Sequence, residues 1–98
     1  MSDKFKLEGH IPVPVDDLIE WGRWIEKANR HVAQDRVGDV QISTVFLGLD
    51  HSFGQPGPPI LFETMVFGGP LDSEMERYAT WEEAEIGHKA MLERVRAA

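Results

Sequence analysis

Two runs of β-branched and aromatic residues constrain this chain more than anything else in it. Val40–Leu49 and Ile60–Phe67 both read as strands. Between them lies Asp50-His51-Ser52-Phe53-Gly54-Gln55-Pro56-Gly57-Pro58-Pro59. Pro56-Gly57 is a turn signal, and Pro58-Pro59 supplies no ladder N–H groups. The pair therefore reads as a hairpin with a stiff loop of about eight to ten residues. Neither strand alternates apolar and polar residues as a sheet covered on one side does. Ile60, Phe62 and Val66 share one face with Thr64, while Leu61, Met65 and Phe67 share the other with Glu63. Val40, Ile42 and Phe46 likewise oppose Val45, Leu47 and Leu49. The expectation is a sheet buried on both faces. A copy of the chain in a two-fold dimer would cover the second face. A partner protein or a strongly curled sheet are the alternatives.

The flanking segments supply the remaining elements. Residues 4–10 alternate as a half-buried strand does, and Pro12 and Pro14 end it or confine it to an edge. Asp16 and Asp17 can cap a helix predicted from about residue 16 to 33, with Leu18, Trp21, Ile25, Ala28 and Val32 as its apolar stripe. Gln34–Asp39 reads as a connecting loop. A second loop, residues 68–73, leads into a short edge strand at Glu76–Ala79. Thr80-Trp81-Glu82-Glu83 is a capping box, and it opens a helix predicted from Trp81 to about Arg96. The predicted order is β-α-β-β-β-α. The fold class is α+β, a two-layer sandwich with an antiparallel-rich sheet and both helices on one face.

With 98 residues the chain makes one α+β domain, residues 1–98. It has no cysteine, so disulfides, thiol nucleophiles and cysteine-ligated metals are excluded. Its formal net charge of −7 argues against direct binding to nucleic acid or to an anionic membrane surface. The opening residues MSDKFKLEGH carry no apolar signal-peptide core, and no apolar run approaches the roughly 20 residues of a membrane span. The expectation is a soluble, cytoplasmic protein. No glycine-rich phosphate cradle and no nucleophile elbow is present, so no cofactor and no catalytic residue is expected.

Several polar residues remain as candidates. His88 falls on the apolar stripe Trp81, Ala84, His88, Met91, Val95. It reads either as a ligand-binding or proton-carrying histidine, or as a core histidine bonded to a carbonyl or to a threonine such as Thr44 or Thr64. Glu63 reads as a buried acid-base carboxylate, or as the partner of Arg77 on the next strand. Asp50 and His51 open the proline-rich loop and either meet a ligand or fix the loop. A metal site would need three or four convergent ligands, and nothing in the spacing brings them together. Asp50, His51, Glu63, Trp81 and His88 are the candidate ligand-binding residues. Asp72, Glu76, Glu82, Glu83 and Glu85 belong to an acidic stretch. Residues 50–98 carry net −5 against −2 for residues 1–49, and such a surface suits a basic partner protein.

Val37 to Phe53, the run Pro-Pro-Ile-Leu-Phe-Glu-Thr-Met-Val-Phe-Gly-Gly and the run Glu-Arg-Tyr-Ala-Thr-Trp-Glu-Glu-Ala-Glu-Ile-Gly-His together resemble a group of short bacteriophage and prophage proteins. The resemblance covers about half the chain and implies context, not residue roles: a small accessory protein of the bacterial cytoplasm, of the kind that binds host proteins or sequesters small signals, anti-defence factors among them. The leading expectation is thus a non-enzymatic binding module, acting on a host or phage macromolecule as a homo-oligomer. The alternatives are a small-ligand binder with a pocket near His51, Glu63 and His88, or an enzyme using Glu63 and His88 as a proton-transfer pair.

Overall fold

The computed structural model describes residues 2–98. Phe5–Glu8 (β1) turns through Gly9 and His10 into Ile11–Pro14 (β2), forming a two-stranded antiparallel sheet. The alternating segment 4–10 is therefore one strand plus its turn. Pro12 and Pro14 are accommodated because β2 is an edge. Leu18–Lys27 (α1) follows, with the Asp17 carboxylate accepting from the N–H groups of Ile19 and Glu20.

The helix is shorter than its stripe predicts. Ala28 is extended, and the Asn29 side chain accepts from the His31 N–H. The chain then enters strand His31–Val37 (β3) instead of continuing to residue 33. Gln34–Asp39 is accordingly no loop. Its first four residues are strand, and Gly38-Asp39 forms a two-residue hairpin turn into Val40–Phe46 (β4), with Gly38 at φ 58°. Pairing along β4 outweighs the helical spacing of Ala28 and Val32.

Phe62–Phe67 (β5) and Met75–Tyr78 (β6) complete a four-stranded antiparallel sheet, ordered β3-β4-β5-β6. Trp81–Ala97 (α2) starts with both halves of the capping box in place. The class is α+β, and the full order is β-β-α-β-β-β-β-α.

Helix α2 lies across one sheet face. Ala84, His88, Met91 and Val95 are its buried residues, and they meet Ile42, Phe46, Phe62 and Val66 from β4 and β5. Helix α1 does not share that cover. None of its residues is buried; it leans on β1 and sets Trp24 edge-on to Phe46 at 5.8 Å. Gly48 ties this unit to the large sheet, because its carbonyl accepts from both the Phe5 N–H and the Trp21 indole. Gly48 has φ 81°, and a Cβ there would overlap the end of Ile25.

The second sheet face is left uncovered by the described residues and is mixed in character. Register places Met75, Met65, Ser43 and Gln34 in one row, and Arg77, Glu63, Val45 and His31 in the next. Apolar groups therefore gather towards β5 and β6, where Phe67 and Met75 are exposed. Polar groups gather towards β3.

Candidate functional site

Each strand of the large sheet places one side chain of interest under α2 or at its margin. Strand residues two apart share a face, so Thr44 lies with Ile42 and Phe46, and Thr64 with Phe62 and Val66. Thr44 and Thr64 are paired in register and fully buried. His88 is 3% exposed and descends between them from α2. Its Nδ1 lies 2.7 Å from Thr44 Oγ1, which lies 2.5 Å from Thr64 Oγ1. On the far side the Tyr78 hydroxyl of β6 donates to Thr64 Oγ1 at 3.2 Å. On the near side His88 Nε2 lies 2.7 Å from Asp35 Oδ2 of β3. Five side chains thus form one hydrogen-bonded line across all four strands.

Every buried polar atom of this line is partnered, as a low-dielectric setting requires. Burial pushes the Tyr78 hydroxyl above the ordinary tyrosine range, with the Glu76 carboxylate adding to the effect. Gly87 makes the Tyr78 position possible, since a Cβ at 87 would overlap the phenol ring and its oxygen. The Asp35–His88–Thr44 order resembles a nucleophilic triad in connectivity alone. Thr44 is sealed under the helix, out of reach of a substrate, and a nucleophile must be approachable.

The loop after β4 is a second organised region. Asp50 Oδ1 accepts from the N–H groups of Ser52 at 2.8 Å and Ile60 at 3.0 Å, closing the loop at its base. Burial alone would raise the Asp50 carboxyl, but those two N–H donors and neighbouring His51 outweigh it and hold it below the ordinary aspartate range. His51 bonds the Leu49 carbonyl through Nδ1, and its N–H donates to the Ile60 carbonyl. Beyond this clamp stands Phe53, 77% exposed and at φ 50°, a backbone conformation uncommon for a bulky residue. A concavity of about 390 Å³ adjoins it, lined by Phe5, Asp50, Ser52, Gln55 and Pro59 among others.

The five candidate ligand residues do not converge. Asp50 and His51 hold the loop. Glu63 lies on the uncovered face and accepts from Arg77 Nε at 3.0 Å. Trp81 stacks on His10 at 3.8 Å, its buried indole N–H has no hydrogen-bond partner among the described residues, and His88 sits in the line under α2. Glu63 and His88 are thus on opposite faces of the sheet, so no proton-transfer pair forms between them.

The acidic candidates are also divided. The Glu83 carboxylate accepts from the Thr80 N–H in the capping box, and Asp72 Oδ1 accepts from the Gly68 N–H at 2.6 Å. Glu82 and Glu85 are exposed on α2, whereas Glu76 belongs to β6. Among the described residues no three His, Asp or Glu side chains gather as a metal would need, and no helix is long and apolar enough to cross a membrane.

Sequence reasoning missed Asp35, Tyr78 and Phe53. Gly38-Asp39 between two valines is a hairpin signal that would have placed Asp35 on a strand, on the same face as Val37. Nothing local marks Tyr78 or Phe53. No family model, no curated protein and no solved structure matches the chain.

Proposed function

We propose that this protein is a non-enzymatic binding module that grips a macromolecular partner through the loop of residues 50–59. The observation carrying this reading is Phe53, held outward on a base clamped by Asp50. An exposed aromatic on a pre-ordered loop is a good interface anchor. It buries a large area in a partner's pocket, and little loop entropy is lost on binding. The prolines at 56, 58 and 59 restrict the loop further. Exposed Glu82 and Glu85 add a negative field that favours a basic partner. The likeness to short phage proteins points to a host or phage partner in the bacterial cytoplasm. A second copy covering Met65, Phe67 and Met75 on the open face makes the module a homo-oligomer.

Site-specific crosslinking tests the loop. A photoreactive phenylalanine at position 53 should give a discrete crosslinked species in a host lysate. Excess wild-type protein should compete it away, and Phe53→Ala protein should not. Equal competition by both proteins, or equal crosslinking from a control position at Lys89, contradicts the reading.

A further inference from the structure

The line Asp35–His88–Thr44–Thr64–Tyr78 has a direction, and the direction is fixed by chemistry. A carboxylate only accepts, so His88 Nε2 carries the proton shared with Asp35. In a neutral imidazole Nδ1 must then accept, so the Thr44 hydroxyl donates to it. Thr44 Oγ1 can next accept only from the Thr64 hydroxyl, and Thr64 Oγ1 accepts from Tyr78. All hydroxyl protons point one way, from β6 to β3. Tyr78 then offers only a lone pair to the groove beside it, a space of about 210 Å³ lined by Glu76, Gly87, Ala90, Met91 and Arg94.

We propose that this line is a polarity relay, in which the charge state of His88 sets whether the Tyr78 hydroxyl accepts from or donates to whatever occupies the β6–α2 groove. When the Tyr78 oxygen takes up a proton from the groove, each hydroxyl hands one proton inward, Tyr78 to Thr64, Thr64 to Thr44 and Thr44 to Nδ1. Nδ1 then donates to Thr44, Thr44 to Thr64 and Thr64 to Tyr78, and the new Tyr78 O–H points to the groove. Each hydroxyl loses one O–H bond and gains another, so the line gains one proton, held on Nδ1. The imidazolium stays paired to Asp35 through Nε2.

The setting suits such a device. The groove gives protons a route from solvent at the Tyr78 end, and the Asp35 carboxylate balances the imidazolium at the β3 end. The titratable groups facing His88 from the packed elements are Asp35 on β3 and Glu76 and Tyr78 on β6. The α2-facing positions of β4 and β5 contribute threonines and apolar residues only. Gly87 is required at the outlet, because any larger residue would push Tyr78 off Thr64.

Nuclear magnetic resonance on the intact protein tests the relay. At neutral pH the His88 nitrogens should report the Nε2–H tautomer. On acidification the Tyr78 ring signals should move with the same midpoint as the His88 ring. Thr64→Val should abolish the Tyr78 response while His88 still titrates, and Thr64→Ser, which keeps the hydroxyl, should retain it. An Nδ1–H tautomer, a Tyr78 signal indifferent to His88, or a response that survives in Thr64→Val would each overturn the proposal. Should the valine variant fail to fold, the wild-type and serine titrations decide alone.

Discussion

A single missing methyl group at residue 87 lets the tyrosine of the edge strand reach the centre of the protein. Alanine normally gains about 1 kcal/mol over glycine inside a helix. Here its Cβ would collide with the Tyr78 ring. Gly87→Ala should therefore destabilise by about 1–3 kcal/mol in denaturant unfolding, the usual cost of overpacking; a stabilised variant would contradict the packing described. Asp35→Ala removes the acceptor of His88 Nε2–H and should cost a similar 1–3 kcal/mol, the scale of an orphaned buried donor. Tyr78 gives a pH signature. Its hydroxyl is raised above the usual value near 10, so its contribution is complete below that pH and is lost as pH rises towards the folded value. The alkaline fall in stability should be smaller in Tyr78→Phe than in wild type when melting is followed from pH 9 upward.

The two helices show how differently one periodic signal can be used. The stripe on α2 is buried against the sheet, and Thr80→Ala should cost about 1 kcal/mol by removing its cap. The stripe on α1 buries nothing fully, so amides of α1 should exchange with solvent well before those of α2. Equal protection in the two helices would show that α1 is covered in solution. The same contrast explains what was legible in the sequence. The capping box, the α2 stripe and the central hairpin are local patterns, and each stands where the residues place it. The end of α1 and the existence of β3 depended on pairing with β4, a non-local gain that periodicity does not register. His88 stood out because a polar residue interrupted an apolar stripe, and Thr44 and Thr64 stood out on otherwise apolar strand faces. Asp35 lay in a charged stretch that resembled a loop, and only the register of β3 on β4 brings it to His88.

For the molecule as a whole, the organisation is a closed interior line and an open exterior loop, joined through Gly48 and the β1–β2 unit. The uncovered sheet face predicts association. Light scattering over a dilution series should give a multiple of 11.1 kDa, and Phe67→Lys should lower it to that of one chain; a single-chain mass for the wild type at every concentration would contradict self-association. The loop depends on Asp50, whose carboxyl is held low. Its stabilising contribution is present above the ordinary unfolded value near 3.9 and is lost as pH falls through the folded one. Gripping a partner through this loop requires that it be ordered before any partner arrives, and backbone relaxation of the free protein at neutral pH measures that order. A pre-ordered loop gives order parameters of about 0.85 across Ser52–Gly54, matching the sheet, and values under about 0.6 would contradict pre-ordering.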